Sequence, residues 1–144
     1  MDFQNIFLSL FFVYSLSALL LGLKHRKNPF GLTHQYVLLG SFVWVDAAVF
    51  GAFFSLVSLL CIFLSDFILF LLIFSVFWTI RSIGEQIYWF LEQFANTHRN
   101  KPRTLWPSKI YKGEEVWIVM QTVMQCISVV FIISSVYLLS IWLK

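Results

Sequence analysis

Four stretches of this chain are too long and too apolar to be hidden inside a soluble domain of its size. They run from about Phe3 to Leu23, Tyr36 to Leu64, Phe67 to Phe94 and Val116 to Leu143. The third is strongly apolar as far as Ile80 and mixed beyond it. A bilayer core of about 30 Å takes about 20 helical residues, and every stretch reaches that length. Pro29, Pro102 and Pro107 all fall in the connections, where a residue that breaks helices belongs. Composition agrees. Of 144 residues, 60% are hydrophobic and 12% charged, against about 45–50% and about 25% in soluble domains. This excludes an ordinary soluble domain, a disordered tail and a collagen-like chain. The sequence predicts an all-α integral membrane protein, a four-helix bundle forming a single transmembrane domain over 1–144. Its helices cover about 3–23, 36–64, 67–94 and 114–143.

Charge placement predicts the orientation. The 24–35 connection holds Lys24, Arg26 and Lys27, and the 95–113 connection holds Arg99, Lys101, Arg103, Lys109 and Lys112. The link at Ser65-Asp66 has no basic residue. Lys and Arg are enriched in cytoplasmic loops, so both basic loops are expected inside and both termini outside. The first apolar run has no Lys or Arg before it, unlike a cleavable signal peptide. Basic residues gathered at helix ends account for the net charge of +3 without nucleic acid. Counting about 20 residues inward from Leu64, from Phe67 and from Leu143 leaves helices two, three and four extended on the cytoplasmic side. Trp44, Trp89 and Trp117 are expected at the inner interface and Trp142 at the outer one. The chain shows no convincing internal repeat, which removes the main sequence support for an inverted-repeat transporter. The expected home is an integral position in the membrane, of the bacterial inner (plasma) type.

The candidate functional residues are the polar groups inside these spans. A charge facing lipid at mid-bilayer costs about 2.5–3.5 kcal/mol on insertion scales, so such groups face inward, pair or reach the interface. Asp46 precedes Leu64 by the same interval that separates Phe67 from Glu85. At about 1.5 Å per residue both sit about 27 Å from the outer boundary. Arg81 is one turn from Glu85 on the same helical face, which Tyr88 and Glu92 continue. A cluster of Asp46, Arg81 and Glu85 is expected. Helix four offers a matching stripe of Glu114, Gln121, Gln125, Ser128 and Ser135. Helix two carries small residues at Ala47, Gly51, Ser55 and Ser58 that permit close helix approach, and Gly84 is expected to thin helix three.

These features predict a non-catalytic membrane protein with a cytoplasm-facing polar cluster. The cluster binds a partner helix or a small polar solute, as in a membrane-complex subunit or a transporter-like protein. Its partners are the lipid bilayer and another membrane protein or a second copy. The plainer alternative has the same residues serving helix packing and snorkelling alone. A third reading is an enzyme acting on a lipid headgroup at the cytoplasmic surface, with Glu85 or Glu92 as base. No H-E-x-x-H, G-x-S-x-G or P-loop is present, and His25, His34 and His98 all lie in the basic loops. No cofactor or metal is expected. Cys61 and Cys126 are expected near opposite membrane boundaries, and so not as a disulfide pair.

Overall fold

The computed structural model describes residues 3–98, 101 and 105–144. Arg99 and Arg103, counted above among the loop charges, and Pro102 lie outside the described residues. The protein is all-α. Its long helices are α1 (Phe3–Lys24), α2 (Trp44–Leu64), α3 (Phe67–Gln93) and α4 (Glu115–Trp142). Each is long and apolar enough to cross a membrane. This makes the chain an integral membrane protein by length and composition. At about 1.5 Å per residue, α1 and α2 match a core of about 30 Å. The longer α3 and α4, with 27 and 28 residues, exceed it by about 10 Å.

The start of the second helix differs from the apolar pattern. The apolar run begins at Tyr36, but α2 begins at Trp44. Val37–Leu39 form a single 3-10 turn that ends at Gly40 in the left-handed conformation, φ 71°. A residue with positive φ cannot continue a right-handed helix. Thr33 N–H then donates to Phe42 O at 2.9 Å, and Leu32 and Val43 form an isolated antiparallel bridge. The run is apolar because it packs: Tyr36 and Leu39 are buried, Tyr14 OH donates to Gln35 O at 2.7 Å, and the Tyr36 and Ser17 hydroxyls are 3.1 Å apart. With 21 residues, α2 has almost nothing to spare beyond a core of about 30 Å. The expected extension of helix two is therefore absent.

The chain divides into two compact units, Met1–Ile73 and Phe74–Lys144. The first holds α1, α2 and the opening turns of α3. Its α1 and α2 meet where small residues remove the obstacle. A Cβ on Gly51 would lie 2.5 Å from Leu19 N and 2.7 Å from Ser15 O. A Cβ on Gly22 would lie 2.5 Å from Ala48 N. Phe11 sits at the centre of an aromatic group, edge-on to Phe54 at 5.6 Å and to Phe70 at 5.0 Å. Edge-to-face pairs contribute about 0.5–1.5 kcal/mol each. That matters here, because lipid is as apolar as Leu and packing carries helix association.

The second unit holds most of α3, a 3-10 turn at Trp106–Lys109, and α4. It repeats the plan of the first, helix–loop–helix, and the structure uncovers a sequence repeat that hydropathy hides. His25 stacks on Trp44 with ring centroids 4.1 Å apart, and His98 packs on Trp117 at 4.2 Å. The interval along the chain from His25 to His98 equals that from Trp44 to Trp117. At that offset Arg26, Pro29, Leu32, Gly40 and Val43 meet Arg99, Pro102, Leu105, Gly113 and Val116 without a gap. The same offset matches buried positions of the second helices: Ala47 with Met120, Gly51 with Met124, Ser55 with Ser128. The chain is therefore a tandem pair of helical hairpins, which corrects the expectation of no internal repeat. The His and Trp rings clasp the two helices of each hairpin across its loop.

Close approach at Gly51 yields a prediction. Gly51→Val should destabilise the protein by about 1–3 kcal/mol through overpacking against α1 backbone. Gly84 has no heavy atom within 4 Å of an added Cβ. Gly84→Ala should therefore be neutral or stabilising by up to about 1 kcal/mol. Unfolding in detergent followed by circular dichroism checks both.

Candidate functional site: the polar seam of the second hairpin

In the second unit, α3 and α4 are joined by side-chain hydrogen bonds at regular spacing. Gln93 Nε2 donates to Gln121 Oε1 at 2.7 Å. Gln86 Nε2 donates to Ser128 Oγ at 2.8 Å and to Met124 O at 3.3 Å. Ser135 Oγ donates to Ser75 Oγ at 3.0 Å, and Ser75 Oγ to Phe131 O at 3.0 Å. Positions 86 and 93 on α3 and 121, 128 and 135 on α4 recur every second turn, which keeps each row on one face of its helix. Between the bonded rungs the seam is aromatic, with Trp78 stacked on Phe131 at 5.6 Å.

Arg81 and Glu85 form the ion pair expected of them, 2.8 Å between Nη2 and Oε1. Both are mostly shielded, with side-chain exposures of 19% and 11%. Glu85, Trp89 and Glu92 follow one another on the same face of α3, and all three are buried. The Trp89 indole N–H has no hydrogen-bond partner among the described residues. Tyr88, beside it, is partly buried and edge-on to the Trp89 ring at 5.0 Å. Glu92 O lies 3.0 Å from His98 Nδ1, which ties the end of α3 to the ring that packs on Trp117.

Asp46 belongs to the other unit. It occupies the first turn of α2, and its carboxylate accepts from Phe42 N–H at 3.5 Å. An acidic residue in that turn faces the positive end of the helix dipole. Within its own unit, Asp46 thus stabilises the start of α2.

The stripe expected on α4 divides. Gln121 and Ser128 turn inward and are bonded to α3. Gln125 turns outward, and its side-chain amide makes no hydrogen bond among the described residues. Two partners, Gln86 and Gln93, are not among the site residues expected from sequence. Their separation on α3, equal to that of Gln121 and Ser128 on α4, was the signal. Gly84 is exposed and takes part in no close approach. Trp89 and Trp117 are packed inside rather than facing lipid headgroups, while Trp142 is exposed. Cys61 and Cys126 are both free thiols. Among the described residues no group of three or more His, Cys, Asp or Glu is placed to hold a metal ion.

Comparison with known protein families, with curated proteins and with solved structures finds no match.

A double-mutant cycle tests the seam. Gln93→Leu and Gln121→Leu should each destabilise the protein, and the double variant should lose less than the sum. The coupling should be about 0.6–1.7 kcal/mol, the range for hydrogen bonds between membrane helices. Strict additivity would show that the two amides do not meet.

Proposed function

We propose that this chain is a non-catalytic membrane protein that works by helix-mediated assembly, docking a partner helix on the outward face of α4. The observation that carries this reading is Gln125. It lies about 5 Å from the midpoint of α4 at about 1.5 Å per residue, well within the apolar span. Gln86, Gln93 and Gln121 are engaged with α3–α4 partners, whereas Gln125 is exposed and has no such bond among the described residues. An amide left without a partner in hydrocarbon costs several kcal/mol. A docked helix removes that cost.

Solute binding has less to draw on, because Arg81 and Glu85 hold each other and Gln121 holds Gln93. The enzyme reading asks Glu85 to act as a base while its carboxylate is occupied by a guanidinium. The orientation proposed has both loops in the cytoplasm and both termini outside. It is supported by eight of the ten basic residues falling in those two loops.

A photo-cross-linking amino acid at position 129, beside Gln125 on the outward face, tests docking in native membranes. The expected result is a discrete protein adduct at 129 that disappears with Gln125→Leu, and none at the corresponding Leu56 of α2. Adducts to lipid alone at both positions would contradict the proposal.

A further inference from the structure

The tandem hairpins supply an internal control for the outward face of α4. At the repeat offset, Val45, Val49, Ala52, Leu56, Leu59 and Phe63 of α2 correspond to Ile118, Thr122, Gln125, Val129, Ile132 and Val136 of α4. All six α4 residues are exposed. Five of the α2 residues are exposed too, and Ala52 is half-buried. The α2 face is wholly apolar, as a lipid-facing surface requires. The α4 face differs in kind at two neighbouring places, Val49 to Thr122 and Ala52 to Gln125. Thr122 satisfies its hydroxyl within the helix, donating to Ile118 O at 2.9 Å. A Gln side chain in mid-span is bonded by a group outside its own helix. The face of one hairpin thus carries an amide that its counterpart lacks.

We propose that this face packs against α4 of a second copy of the chain, in parallel, about a twofold axis normal to the membrane, with the two Gln125 amides hydrogen-bonded to each other. The proposal rests on the docking reading above and names its partner. Three arguments select a second copy. Copies of one chain insert with one topology, so their α4 helices run parallel and present Gln125 at the same depth. A primary amide carries both donors and an acceptor, so it is its own complement. The six residues follow alternating steps of four and three, which is the seam of two parallel helices, and a single polar residue in such a seam fixes register. A different protein would have to supply a polar group at that depth and angle, whereas a second copy does so without further condition. Beside the seam, Ile132 and Val136 line a shallow apolar groove with Val76, Thr79 and Ile80 of the same unit, a hollow that an aliphatic side chain of the facing helix fills.

The full-length protein tests this in two ways. Its mass in mild detergent is measured for the wild type and for Gln125→Leu. The wild type should be a dimer, and the variant should dissociate about 3- to 30-fold more readily, the span set by one to two interhelical hydrogen bonds. Independently of how that variant folds, Val129→Cys in a Cys126→Ser background should form a disulfide-linked dimer on mild oxidation in native membranes. Leu56→Cys in the same background should not. A complex with a different protein at fixed stoichiometry, lost in Gln125→Leu, would overturn the second copy as partner and leave the docking reading standing. A monomer indifferent to Gln125→Leu, with no Val129→Cys cross-link, would overturn both.

Discussion

A polar group inside a hydrocarbon layer has no water to turn to, and the protein must supply its partner. That constraint organises the polar side chains of the spans. Serine hydroxyls bond to carbonyls a turn back in their own helices, as Ser58 does to Phe54 O and Ser82 to Trp78 O. Longer side chains cannot satisfy themselves that way and reach further. Gln86 and Gln93 find α4, and Arg81 finds Glu85 one turn along α3. Asp46 stands at the first turn of α2, where its carboxylate accepts from Phe42 N–H. Gln125, exposed on the outward face of α4, has no such bond among the described residues.

The two hairpins show what the unit needs and what it leaves free. The residues kept at the repeat offset gather in the loop and its flanks: a His at the end of one helix, a Trp at the start of the next, and the Pro and Gly between them. The helix–helix seams have gone different ways. The first hairpin closes on small residues, with backbone approaching backbone at Gly51 and Gly22. The second is bridged by amides, Gln86 reaching Met124 O and Ser128 and Gln93 reaching Gln121. One plan thus accommodates a close seam of small residues and a seam bridged by amides, each with a His–Trp ring contact at its loop.

Much of the fold was legible in the chain. The helix ends at Lys24, Leu64, Gln93 and Trp142 fall within a residue or so of where the apolar runs stop. Charges, Ser65-Asp66 and the prolines mark those stops physically. The start of α2 was not legible from hydropathy, because Tyr36 packs against Tyr14 and Ser17 of α1 and Leu39 is buried, though neither belongs to a span. Gly40-Ser41 was the available warning. The repeat was hidden because the identities at the repeat offset gather in a short loop and its flanks, where hydropathy carries little signal. The candidate site was half legible. Arg81 and Glu85 meet as their spacing of one helical turn requires, but the direction each Gln faces depends on the rotation of α3 against α4, which one helix's pattern does not contain.

Among the described residues, the amides of the second hairpin divide into those bonded within it, at Gln86, Gln93 and Gln121, and Gln125, which has no such bond. The stability of the monomeric protein in detergent, measured for Leu replacements at Gln86, Gln93, Gln121 and Gln125 in turn, tests that division most directly. Losses of about 0.6–2 kcal/mol are expected at each of the first three, and at Gln125 no loss or a slight gain. A Gln125 variant that destabilises the monomer as much as the other three would place that amide inside the hairpin and leave no amide free for a partner helix.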